Sequence, residues 1–121
     1  MQYNSFNNLA EQIYNNNIEK GWWKKDSNGN VIPREPGVLL CLIHSEVSEA
    51  MEGFRKDLMD DHLPQRKMAE VELADTIIRI LDMCGHYKFD IDGAIQEKLE
   101  YNKTRKDHQL ENRLKEGGKS F

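Results

Sequence analysis

Apolar residues recur at helical spacing along most of the chain, and long alternating patterns of the kind strands show are absent. Phe6, Leu9, Ala10 and Ile13 set the first such stripe, with Ser5 placed to cap it, and predict a helix over about 5–20. Residues 21–37 break the pattern with Asn28-Gly29, Pro33 and Pro36 and also hold both tryptophans, Trp22 and Trp23. A second helix is predicted over 36–56, with proline in its first turn. A connector containing Pro64 leads to a third helix over 66–86. A turn at Lys88-Phe89-Asp90 then leads to a fourth over 91–106, which Asp90 or Asp92 can cap. The tail after about residue 107 is charged and ends Gly117-Gly118-Lys119-Ser120-Phe121, which reads as loosely ordered. The expectation is an all-α chain forming a single domain over residues 1–121.

On a helical wheel of about 100° per residue, Leu39, Leu42, Ile43, Val47, Ala50, Met51 and Phe54 cover one broad arc of the second helix. Glu46 falls inside that arc and Glu49 at its edge. An ionised carboxylate aimed at an apolar face is costly unless it is paired, protonated or bound to a cation. Two readings stay open: a metal site shared with Glu49, or a salt bridge to Arg or Lys on another helix. On the third helix Val71, Leu73, Ala74, Ile77, Ile78, Leu81 and Cys84 form the apolar arc. Glu72, Asp75 and Arg79 lie together opposite it, and taken alone they are an ordinary solvated face. Helices joined by a short connector should be antiparallel neighbours, so each would offer a carboxylate pair three residues apart. Oxygen-only ligands suit Mg²⁺, which keeps waters and accepts phosphate oxygens as further ligands.

Lys98, Asn102 and Arg105 form one stripe on the fourth helix, either a phosphate clamp or a solvent-facing basic strip. Trp22 and Trp23 either pack internally or stack on a base, with their loop acting as a lid. His44, His62, His86 and His108 are scattered and form no ligand pair. Cys41 and Cys84 both sit in apolar helical patterns and read as buried free thiols.

The 121 residues carry a net charge of −4 with 31% charged and 38% hydrophobic residues. That balance argues against a nucleic-acid polymer as ligand, which would call for a basic footprint, but leaves a single nucleotide open through a bound cation. A chain this short buries limited surface alone, so partner subunits would help. No apolar run is long enough to span a membrane and the first eight residues lack a signal-peptide core, so a cytoplasmic location is expected.

Three stretches together resemble a known family. They are Ile43-His44-Ser45-Glu46-Val47-Ser48-Glu49-Ala50-Met51-Glu52-Gly53-Phe54-Arg55-Lys56, Glu72-Leu73-Ala74-Asp75-Thr76-Ile77-Ile78-Arg79-Ile80-Leu81-Asp82, and Lys98-Leu99-Glu100-Tyr101-Asn102-Lys103-Thr104-Arg105. With these, and with the tail from Asp107 to Lys119, the chain resembles the MazG-like branch of the all-α nucleoside triphosphate pyrophosphohydrolases. Ser45 and Val71 precede the two acidic motifs where many members carry a further acid. The resemblance implies a four-to-five-helix bundle, oligomeric as a homodimer or a dimer of dimers. It implies a site in which Glu46, Glu49, Glu72 and Asp75 bind Mg²⁺, with Mn²⁺ as a substitute. It also implies hydrolysis of a (deoxy)nucleoside triphosphate between the α and β phosphates, with Glu49 a candidate to activate water. Lys98, Asn102, Arg105 and Arg79 would meet phosphate or sugar. A dedicated dUTPase or dCTPase is an alternative within that chemistry. A non-enzymatic helical module, whose carboxylates only form ion pairs, is the alternative outside it. A di-iron protein fits less well, because its Glu-x-x-His pairs are missing.

Overall fold

The computed structural model describes residues 2–105, 110–114 and 117. The chain forms two compact units, Met1–Phe89 and Asp90–Phe121. The first holds α1 (Phe6–Glu19), α2 (Pro36–Lys56) and α3 (Met68–Tyr87). The second holds α4 (Ile91–Thr104) and the single turn α5 (Leu110–Arg113). Among the described residues the only extended pairings are isolated bridges, Lys25 with Val31 and Met59 with Lys67. The architecture is all-α, and among the described residues no helix is long and apolar enough to cross a membrane.

The helix ends follow local chemistry. Ser5 Oγ accepts the Asn8 amide at 3.0 Å and opens α1. Pro36 occupies the first turn of α2, where its missing N–H costs nothing, and the Glu35 side chain accepts from Gly37. Asp90 Oδ1 accepts the Gly93 amide and opens α4, so Asp90 rather than Asp92 is the cap. The third helix starts at Met68, two residues later than the sequence pattern predicts, because Lys67 pairs with Met59 and Arg66 donates to Leu63 O. Between α1 and α2, Asp26 Oδ1 accepts the amides of Asn28 and Asn30 at 2.9 Å, and Gly29 takes φ +81° to close the turn. The tail after about residue 107, expected to be loosely ordered, lies largely outside the described residues, as does His108.

In the first unit α3 packs on both α1 and α2. Small residues set the distances. A Cβ on Gly53 would lie 2.7 Å from the Ala69 amide nitrogen, and one on Gly85 would lie 2.6 Å from Ala10 O. With Gly53 against Ala69 and Glu46 against Arg79, α2 and α3 run antiparallel. The core comprises Ala10, Ile13, Trp23, Leu39, Ala50, Ala69, Leu81 and Cys84.

This packing divides the apolar arcs differently from the wheel. On α2, Leu39, Ala50 and Gly53 turn inward, while Val47, Met51 and Phe54 are exposed, Phe54 at 71%. On α3, Leu73, Ile77, Ile78 and Ile80 are exposed, whereas Thr76 is buried and Glu72 and Asp75 are half-buried. The carboxylates of α3 are therefore not a solvated face. The close approaches at Gly53 and Gly85 fix the rotation of α3, and they leave a stripe of large apolar side chains outward. Cys41 is exposed, against the expectation of a buried thiol, while Cys84 is buried.

Candidate metal and nucleotide site

Four residues of α3 share one stripe facing α2 and the 21–35 segment: Glu72, Asp75, Arg79 and Asp82. From α2 comes Glu46, whose side chain is only 16% exposed. Carboxylate oxygens of Glu46, Glu72 and Asp75 all lie within 4.8 Å of one another. Glu49 is exposed and stands outside this tight group, close enough for its charge to act on Glu72. Three of the four acids predicted to share a metal are thus brought together, and the fourth borders them.

Arg79 Nε donates to Glu46 Oε1 at 2.9 Å. The salt bridge and the carboxylate cluster, alternatives in the sequence, coexist on the same glutamate. One cation cannot neutralise three acids, so the excess negative charge shifts their protonation. Glu72 is pushed up to about 7, first by its hydrogen bond to Glu46, then by burial and the charges of Glu46, Asp75 and Glu49. Burial pushes Glu46 upward as well, but hydrogen bonds from Glu72 and Arg79 outweigh it and hold this carboxyl below the usual glutamate range. Asp75 is raised, chiefly by burial and next by the charge of Glu46, with Arg79 opposing. A hydrogen bond between the Glu46 and Glu72 carboxyls, beside a third acid, favours keeping a proton on Glu72. The donor set is all oxygen and over-supplied with negative charge, which fits a hard divalent cation.

A cavity of about 240 Å³ adjoins the cluster, lined by Glu46, Asp75, Arg79, Asn17, Trp22 and Arg34. Asp82 and Ile78 complete its wall. Trp22 is 68% exposed, while its neighbour Trp23 is 1% exposed. The Trp23 ring stacks on His86 at 4.3 Å, meets the edge of Tyr14 at 5.3 Å and lies under the Arg34 guanidinium at 5.3 Å. Its Nε1–H donates to both Asp82 oxygens at 3.0 and 3.1 Å. Trp23 is therefore a core residue, which favours internal packing over base stacking, the two readings the sequence leaves open. Trp22 is the tryptophan that keeps base stacking open. His86 is structural, sharing a 2.8 Å hydrogen bond with Tyr14.

Asn17, Arg34 and Asp82 carry no role in the sequence reading. Asp82 was within reach of it, since it continues the stripe of Glu72, Asp75 and Arg79 by one more turn. Asn17 and Arg34 come from α1 and an irregular loop, and no spacing connects them to the acids.

Lys98, Asn102 and Arg105 belong to the second unit. There Lys98 Nζ lies 4.8 Å from the Tyr101 ring and the Arg105 guanidinium 5.9 Å from it. Asn102 Oδ1 is enclosed without a hydrogen-bond partner among the described residues.

A scan against protein-family models, a search of curated proteins and a search of solved structures each find no match to this chain.

Proposed function

We propose that the protein is a Mg²⁺-dependent hydrolase of (deoxy)nucleoside triphosphates, cleaving between the α and β phosphates to give monophosphate and pyrophosphate. The observation that carries this reading is the cluster of Glu46, Glu72 and Asp75, two of which, Glu46 and Asp75, line a cavity that also holds Arg34, Arg79 and an exposed tryptophan. Acids for a cation, guanidinium groups for phosphate and an aromatic face for a base are the three parts a nucleotide site needs. The resemblance to MazG-like pyrophosphohydrolases points the same way.

Glu46, Glu72 and Asp75 would hold the ion, and Mn²⁺ would serve in place of Mg²⁺. A bound divalent cation supplies charge neutralisation of the triphosphate and a more acidic water. The chain's own residues do the rest. Arg34 and the free N–H groups of Arg79 meet phosphate oxygens and orient the α-phosphorus. Glu49, exposed at the border of the cluster, takes the proton of the attacking water. The new P–O bond forms at the α-phosphorus as the bond to the bridging oxygen breaks, and pyrophosphate leaves. On the second unit, Lys98, Asn102 and Arg105 are assigned to phosphate or sugar on the strength of the resemblance.

The same reading makes the protein a homodimer or a dimer of dimers. Its support is the set of large apolar side chains left exposed on both helices, Val47, Met51 and Phe54 on α2 with Leu73, Ile77 and Ile80 on α3. No nucleic-acid polymer and no membrane enters the proposal.

The test is to supply the common NTPs and dNTPs with Mg²⁺ and resolve the products. Pyrophosphate and the matching monophosphate are expected from at least one. Absence of pyrophosphate from all of them would sink the hydrolase and favour a helical module whose acids serve only in ion pairs.

A further inference from the structure

Arg34 is a cation in an acid-rich wall that pairs with none of the acids. It lines the cavity, half-buried, together with Glu46, Asp75 and Asp82. Among the described residues its guanidinium enters no ion pair and no hydrogen bond. What it meets is the face of the Trp23 ring, 5.3 Å from the centroid. A guanidinium carries five N–H donors, and a cation–π contact uses none of them. They stay available to a ligand in the cavity. Arg79 differs, because its Nε is committed to Glu46 Oε1 at 2.9 Å.

The same indole explains why Arg34 stays unpaired. Trp23 Nε1–H donates to both Asp82 oxygens at 3.0 and 3.1 Å and occupies the bidentate edge of that carboxylate. That edge is the one an arginine fork would take. The ring thus holds the acid at its rim and the guanidinium on its face, and keeps apart two groups that line one cavity. Trp23 is fully buried, stacked on His86 at 4.3 Å and met by Tyr14, so it is fixed in this position. Donation to an anion also enriches the ring in negative charge, which strengthens its hold on the cation.

We propose that Trp23 is a positioning residue that keeps Arg34 out of an ion pair with Asp82, so that an unpaired guanidinium stands in the cavity as the receptor for a polyphosphate. The inference rests on the reading of this cavity as a phosphate site. It adds how an anion-binding group is kept available among acids. Trp23 acts through Arg34 and takes no part in the bond-breaking step.

The experiment uses the full chain and inorganic tripolyphosphate, which has neither base nor sugar, with Mg²⁺ present. Affinity is read by calorimetry, and kcat/KM is measured on the common dNTPs. Arg34→Ala should weaken tripolyphosphate binding by about 10- to 100-fold, the loss of charge-assisted hydrogen bonds, and lower kcat/KM alongside. Arg34→Lys returns the charge without the fork and should recover part of the loss. Trp23→Phe keeps an aromatic face but frees Asp82, which then takes Arg34. Binding should fall by about fivefold or more, the competition of one ion pair. Adding Asp82→Asn to Trp23→Phe removes the competing charge and should restore the affinity, although it does not repair the core. A loss due only to damaged packing would persist in that double variant. Asp82→Asn alone keeps the core and an acceptor for Trp23 Nε1–H, so affinity should hold or rise, and this arm stands even where Trp23→Phe does not fold. The inference is overturned by no tripolyphosphate binding to the wild type, by a loss in Asp82→Asn alone, or by no recovery in the double variant. Binding and turnover in Arg34→Ala within about threefold of wild type defeat this inference alone. Arg34-dependent tripolyphosphate binding without pyrophosphate release from any dNTP defeats the hydrolase reading alone.

Discussion

Asp75→Asn should lower pyrophosphate release by about 100-fold or more while the helical circular dichroism stays unchanged. The substitution keeps shape and removes one charge from a place where charge is in excess. Asp75 is half-buried and already raised by burial and by Glu46, so its ionised form is costly in the free protein. Removing it therefore relieves repulsion, and the melting temperature should hold or rise slightly. The Glu46–Arg79 pair at 2.9 Å does not involve Asp75 and survives. A loss of activity without a loss of stability is the signature of a ligand. A surface acid in an ion-pair network would show neither. Activity within threefold of wild type would remove Asp75 from the site.

Trp23→Ala should destabilise the first unit by about 3–5 kcal/mol. For a unit of this size that is a fall in Tm of roughly 12 °C or more. Among the described residues Trp23 is the one large side chain that is fully buried, and it joins three parts of the unit. Its ring meets Tyr14 of α1 and His86 of α3, and its Nε1–H meets Asp82. Deleting it leaves a cavity and strips Asp82 of its donor, a second cost beyond lost burial. Trp22→Ala, by contrast, removes an exposed ring and should change stability by no more than about 0.5 kcal/mol. Its effect should fall on nucleotide binding. Equal stability losses at the two positions would contradict this division of roles.

The helices were largely legible because their signals are local. Ser5, Pro36 and Asp90 act through their own neighbours in the chain, and the structure uses each where the pattern places it. Glu46 was legible as an anomaly, since an acid on an apolar arc must find a partner, and it finds Arg79 and Glu72 together. The orientation of α3 was not legible. A wheel separates polar from apolar residues but does not say which side a neighbour covers. Here the close contacts at Gly53 and Gly85 decide, and they turn Glu72 and Asp75 inward and Leu73 and Ile77 outward. The two tryptophans show the same limit. Adjacent in sequence and alike in chemistry, they part because only Trp23 meets His86, Tyr14 and Asp82. The partners that distinguish it lie 59 or more positions away for Asp82 and His86.

A direct test of the cation site is a calorimetric titration of Mn²⁺ at several pH values. A metal ligand must be deprotonated, and Glu72 holds its proton up to about 7 in the free protein. Proton and metal therefore compete. Affinity should rise about tenfold per pH unit as the pH approaches 7 and level off above it. About one proton should be released per ion bound below 7, read from buffers of different ionisation enthalpy. Binding at pH 8 that weakens on acidification with this proton release is the expected result. No binding at pH 8, or an affinity independent of pH, would contradict a cation held by Glu46, Glu72 and Asp75.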